Sequence, residues 1–248
     1  MIPIKSESDL AVMRRAGEIL AQVMRKVQQE TRPGITTRDL DRLAEDLIIE
    51  NKAKPAFKGY NGYPATLCIS INEQVVHGIP DERRLEDGDI VSLDLGLDYQ
   101  GYFSDLAVTV PAGKIDPKAR KLIDTTRQAL NEGIKKAVSG NHLSDISWAI
   151  QRYAEKNGFS VVRQFVGHGI GRRLHEEPEV ANFGQAHRGP VLRAGMVLAI
   201  EPMINAGTWE CEVLADGWTA VTKDKALSAH FEHTVAVTDS EPQILTRA

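Results

Sequence analysis

The feature that most narrows the fold is a repeated order of elements: helix, helix, strands, then helix, helix, strands again. Ser6-x-x-Asp9 resembles a capping box, and Leu10, Met13, Ala16, Leu20, Val23 and Val27 follow it in steps of three and four. That spacing predicts an amphipathic helix, stopped by Pro33-Gly34. A second helix is expected from Thr36/Thr37, with Leu40, Leu43, Leu47 and Ile48 facing inward and Pro55 just beyond its end. Strand-like segments follow at about 66–71 and 89–110. The pattern then restarts. Asp116-Pro117 forms an N-cap and first-turn proline, predicting a helix to Gly140 and another from about Ser144 to Gly158, each with a glycine cap. Strands are expected at about 160–166, 196–203, 208–214, 218–222 and 231–237.

The two halves align. An offset of 106 pairs Gly34 with Gly140, Asp39 with Asp145 and Leu40 with Ile146. An offset of 107 pairs Gly88 with Gly195, Ile90 with Val197, Leu93 with Ile200 and Asp94 with Glu201. One inserted residue reconciles the two, which favours a duplication over chance similarity. With 248 residues and 42% hydrophobic composition, the chain has enough apolar material for a large core. The expectation is one catalytic domain over 1–248, with pseudo-repeat halves of about 1–112 and 113–248.

Charge and cysteine usage exclude several classes. Thirty basic against 34 acidic residues leave a net charge of -4, which argues against a general nucleic-acid or membrane-surface binder. Cys68 and Cys211 lie far apart with no CxxC motif, as suits a reducing cytoplasm. No targeting segment is evident, and no stretch approaches the roughly 20 apolar residues of a membrane span.

GDIVSLDLGLDYQGYFSD, from Gly88 to Asp105, carries the chemistry. Folded at Tyr99-Gln100, it pairs residues whose numbers sum to 199, so Asp94 faces Asp105. Like charges so placed are destabilising. Leu93 and Leu95 would share the other face with Leu106 and Val108, leaving the acids a face of their own. Glu201 sits in the apolar run MVLAIEPMI, and Glu232 in SAHFEHTVAV. Acids in core-like strands are paired or bind metal. Four of them point to more positive charge than these segments supply. Facing acids can bridge two metal ions about 4 Å apart. The nitrogen ligand is expected in VGHGIGRRLHEEP, where Gly167, Gly169 and Gly171 surround His168 and a second histidine, His175, follows. Four carboxylates and one imidazole make a hard site that suits Co, Mn, Fe(II) or Zn. A water bridging two such ions loses a proton near neutral pH, and metal-assisted hydrolysis is the reaction class implied.

With these residues in place, the chain resembles the type I methionine aminopeptidases. The matching motifs are KGYNGYPATLCISINEQVVHGIP (58–80), DIVSLDLGLDYQGYFSDLAVT (89–109), GHGIGRRLHEEP (167–178), LAIEPM (198–203) and FEHT (231–234). The resemblance implies an α+β pita-bread fold, two pseudo-symmetric αα-β halves around a central antiparallel sheet. It implies removal of the initiator methionine from nascent proteins, favouring a small second residue. It assigns Asp94, Asp105, His168, Glu201 and Glu232 to two divalent metal ions, with Asp105 and Glu232 bridging. Asp94 completes one ion, and His168 and Glu201 the other. A metal-bridged hydroxide would attack the first peptide carbonyl. His175 would polarise that carbonyl, His77 would contact the scissile amide, and Glu201 would shuttle the proton. Tyr60, Tyr63, Cys68, Leu174 and Trp218 would surround the methionine side chain, with Phe57 nearby. His230 stands where many members have Gln, beside Glu232. The implied partners are nascent N-termini at the ribosome, with no nucleic-acid specificity and no membrane; a cytoplasmic monomer is expected. Two alternatives stay open: a proline-specific peptidase on the same fold, and a peptide- or RNA-binding pseudo-peptidase.

Overall fold

The computed structural model describes residues 2–247; Met1 and Ala248, the ends of the expected domain, lie outside the described residues. Helix α1 (Glu7–Glu30) opens with a capping box, in which Ser6 Oγ accepts from Asp9 N and the Asp9 carboxylate accepts from Ser6 N at 2.9 Å. Helix α2 (Thr37–Glu50) is capped by Thr36, whose hydroxyl accepts from Asp39 N. Helix α3 (Pro117–Ile134) starts at the Asp116-Pro117 cap, and α4 (Leu143–Lys156) completes the second pair. One boundary differs from expectation. α3 stops at Ile134, because the chain tightens into turns closed by Lys136 N to Gly133 O and Ala137 N to Ile134 O. Gly140, at φ 92, instead donates its N–H to Leu192 O in the approach to α4.

Each helix pair covers one core. Leu20, Leu40 and Ile48 of α1 and α2 pack with Leu67, Leu93 and Leu95. Leu122, Ile123, Ile146 and Ile150 of α3 and α4 pack with Leu198 and Ile204. Each such side chain, fully buried, contributes about 1.5–3 kcal/mol. Val108 packs against both cores.

Two sheets bring the acids together. In the first, the hairpin Ile90–Tyr99 and Tyr102–Pro111 pairs along Ile90–Tyr99 with Leu67–Ile71 and with the short strand Lys54–Pro55. The hairpin register corrects the sequence reading. Tyr99 pairs with Tyr102, so opposed residues sum to 201; Asp94 faces Ala107, and Asp105 faces Gly96. The reason is local. Gln100 and Gly101 both have positive φ (54° and 78°) and make a two-residue turn, which Asp98 supports by accepting from Gly101 N. A slip of two residues keeps every side chain on its face, so Asp94 and Asp105 still share one, diagonally.

The second sheet orders Gln243–Ile244, His233–Ala236, Val197–Ile200, Gly167–Gly169 and Glu176–Val180. The expected strand 196–203 is interrupted after Ile200, and the expected strand 231–237 begins only at His233, after a break from Ser228–His230. Val197–Ile200 and His233–Ala236 pair in this sheet, whereas Met203–Asn205 and Ser228–His230 pair in a neighbouring three-stranded one. Glu201 and Glu232 occupy the two breaks. His233↔Ile200 and His230↔Met203 both sum to 433, as do Glu232 and Glu201, so the interrupted register places these two acids opposite each other. The hairpin joins this crossing directly. Glu232 N donates to Ala107 O at 2.8 Å, Asp105 N donates to Thr234 Oγ1 at 2.9 Å, and His230 N donates to Thr109 Oγ1 at 2.8 Å.

Candidate active site

Asp105, His168 and Glu232 are all buried, and a ligating atom of each lies within 4.8 Å of the other two. His168 Nε2 stands 3.9 Å from Asp105 Oδ2 and 3.6 Å from Glu201 Oε1. Asp94 lies on the same hairpin face, opposite Cys68 on its other side. His168 reaches the centre because its neighbours lack side chains. A Cβ at Gly167 would lie 2.3 Å from Ala199 O, and one at Gly169 2.1 Å from Glu177 O. His168 Nδ1 is 2.9 Å from Gly169 O, so it serves as the donor and leaves Nε2 free to coordinate.

Burial dominates the electrostatics. It pushes Asp94 up to about 7. It drives Asp105, Glu201 and Glu232 well above the carboxylate range, with their mutual repulsion adding to the shift. Burial, with His175 nearby, lowers His168 to about 3, so its imidazole is neutral. No Lys or Arg among the described residues pairs with any of the four acids. Asp94 Oδ1 and Glu232 Oε1 are buried without a hydrogen-bond partner. Buried orphan carboxylate oxygens beside a neutral imidazole are the donor set of a hard dication. The residues therefore fit a divalent metal.

These groups floor a cavity of 230 Å³. Every site residue singled out in the sequence lines it, from Phe57, Tyr60, Tyr63 and Cys68 through His77 to Leu174, His175 and Trp218. Tyr63 meets Trp218 edge-on at 5.1 Å, and its hydroxyl donates to Gly78 O at 2.8 Å. Gly96, which faces Asp105, makes room for the Phe57 ring; a Cβ there would lie 2.6 Å from Phe57 Cε1. Burial keeps Cys68 a neutral thiol. His175 meets His168 edge-on at 4.2 Å between ring centroids, and its Nδ1 is 2.6 Å from the Tyr60 hydroxyl. His77 has φ 61°, a left-handed backbone that a bulky residue adopts only where its surroundings fix it. Its ring packs edge-on against Phe165 and Trp218.

Two details add to the sequence reading. His230, whose role the sequence left open, turns its unpartnered Nε2 toward Glu201 Oε2 at 3.7 Å. Phe165 and Val166 line the cavity and were missed. The available signal was their place in QFVGHG, directly before His168.

Residues 11–239 match the profile of Metallopeptidase family M24. The chain belongs to that family. The methionine aminopeptidase of Clostridium perfringens (strain 13 / Type A) is 54% identical over 246 residues, 99% of each chain. The crystal structure of methionine aminopeptidase from Thermotoga maritima superposes with a TM-score of 0.98 at 45% identity, covering 100% of both chains. The prolidase of Pyrococcus horikoshii OT3 reaches a TM-score of 0.80 at 25% identity, covering 99% of this chain but 63% of the prolidase. The fold is thus the expected α+β pita-bread fold. M24 membership also implies divalent metal use, in keeping with the acid and imidazole cluster. No helix among the described residues is long and apolar enough to cross a membrane.

Proposed function

We propose that this M24 peptidase is a methionine aminopeptidase, removing the N-terminal methionine from polypeptides whose second residue is small. The observation that carries this reading is the juxtaposition of four acids, Asp105 and Glu232 buried and Asp94 and Glu201 half-buried, and a neutral His168 with an aromatic-walled cavity of 230 Å³. The full-length similarity to methionine aminopeptidases supports it.

Asp94, Asp105, His168, Glu201 and Glu232 would hold two dications drawn from Co, Mn, Fe(II) and Zn, with Asp105 and Glu232 shared between them. Bound there, the ions supply Lewis acidity and lower the pKa of water to near neutrality. The chain's own groups do the rest. We assign the Tyr60 hydroxyl as donor to His175 Nδ1, which fixes the ring proton on Nε2 for donation to the peptide oxygen. Partial desolvation lowers the pKa of His175, which favours the neutral ring. His77, held in its left-handed backbone, contacts the scissile amide. Glu201 moves the proton to the leaving nitrogen. Phe57, Tyr63, Cys68, Leu174 and Trp218 receive the methionine side chain and exclude water. Residues 1–248 act as one catalytic domain with duplicated halves of about 1–112 and 113–248. Its substrates are nascent N-termini at the ribosome, in the cytoplasm, and it works as a monomer without nucleic acid or membrane.

A comparison of Met-Ala-Ser with Xaa-Pro peptides tests the reading. Turnover of Met-Ala-Ser with release of free methionine is expected. Turnover of Xaa-Pro alone would assign the chain to the proline-specific branch, and no turnover with any added Co, Mn or Fe(II) would make it a binding protein.

A further inference from the structure

One buried ion pair lies outside the cavity and is used by nothing described so far. Lys5 Nζ is 2.7 Å from Glu176 Oε2, with the two side chains 5% and 4% exposed. Lys5 belongs to the strap that precedes α1. Its N–H donates to Gly195 O at 2.8 Å, and a Cβ at Gly195 would lie 2.8 Å from both Ile4 Cγ2 and Lys5 O. The strap is thus pressed flat onto the turn that leads into Val197–Ile200.

From there Lys5 closes the turn between Gly171 and Glu176. The second Glu176 oxygen accepts from Arg173 N at 3.2 Å, and Gly171 N donates to Arg173 O at 3.1 Å. Gly171 leaves room for the pair: a Cβ there would lie 2.5 Å from Lys5 Cε and 2.9 Å from Glu176 Oε1 and would push both side chains aside. The same turn carries Leu174 and His175, both in the cavity wall, whereas Lys5 and Glu176 do not line the cavity. Burying an ion pair is seldom a gain in stability over an apolar pair of equal volume. Its directional bonds fix a loop in one geometry.

We propose that Lys5 and Glu176 are a positioning pair that sets the turn Gly171–Glu176 and thereby holds His175 against the substrate carbonyl. This rests on the role of His175 given above. The N-terminal strap is then part of the catalytic apparatus, acting through another residue.

The test is a double-mutant cycle in the full-length, Mn(II)-loaded protein with Met-Ala-Ser. Misplacement by about 1 Å costs as much as 10²-fold, so Lys5→Met is expected to lower kcat about 10- to 100-fold. KM and the Mn(II) dissociation constant should move less than about threefold, since Lys5 is bonded to neither His168 nor the acids. Removal of an oxyanion donor costs about 10²–10³, which is the drop expected for His175→Ala. The decisive readout is Lys5→Met in the His175→Ala background. If the pair acts through His175, the double variant matches His175→Ala within about twofold. Additive losses, or a folded Lys5→Met with wild-type kcat, overturn the proposal. Should Lys5→Met not fold, Lys5→Met/Glu176→Met leaves no lone buried charge and carries the same cycle. Near-normal turnover in His175→Ala alone would instead remove the role of His175 and, with it, the pair's.

Discussion

Two sites that draw carboxylates out of water, Glu176 and the acids on the cavity floor, treat them in opposite ways. Glu176 has a lysine at 2.7 Å and a backbone donor on its other oxygen. Asp94, Asp105, Glu201 and Glu232 face two neutral histidines and one another. The first site is complete within the chain. The second is electrostatically incomplete without a cation, and its repulsion is the mark of what it binds. The contrast separates a structural use of buried charge from a chemical one, and it makes predictions of opposite sign.

The largest effect is expected at the incomplete site. His168→Ala should lower kcat/KM by more than the 10- to 100-fold typical of outer partners of a metal, and should loosen Mn(II) in a calorimetric titration. Near-normal turnover in that variant would remove His168 from the centre.

Next is the stability of the metal-free protein. The Asp94 carboxyl is raised from 3.8 to about 7, so between those values the folded state binds more protons than the unfolded state. Its penalty is absent below about pH 4, grows as pH rises and is complete above 7. Asp94→Asn should therefore stabilise the metal-free protein at pH 8, by a difference on the order of 4 kcal/mol, and change little at pH 4. Chemical denaturation at the two pH values measures this. Equal effects at both would show that Asp94 carries no such penalty.

The complete site should respond with the opposite sign. Lys5→Met leaves Glu176 buried and unpaired and should destabilise by about 3 kcal/mol or more at pH 8. A stabilised Lys5→Met would erase the distinction between the two sites. The smallest effect expected is local. Chelation should speed hydrogen exchange in the hairpin around Asp94 and Asp105 relative to α1, and unchanged rates there would mean that the metal does not offset the repulsion.

Much of this was legible in the sequence because periodicity survives small errors. The hairpin reading slipped the register by two residues, yet Leu93 and Leu95 kept to one face and the acids to the other, since side chains alternate with period two. The slip did misplace the opposed pair. The register continued across the break sets Glu201 opposite Glu232, two acids that no turn links in the sequence. The orientation of His230 toward Glu201 and the reach of Lys5 were illegible for the same reason. Each depends on contacts between segments far apart in the chain.

The sequence by itself determined the elements, the face of each strand, the identity of the acids and imidazoles, and the glycines that let His168 in. Local sterics, capping and alternation are properties of neighbouring residues, and they are written where they act. Only the tertiary structure decided which acid faces which, because the crossing of two sheets at Glu201 and Glu232 sets that register. It alone decided that Lys5 is held against Glu176, since a charge is buried only by atoms that folding brings around it.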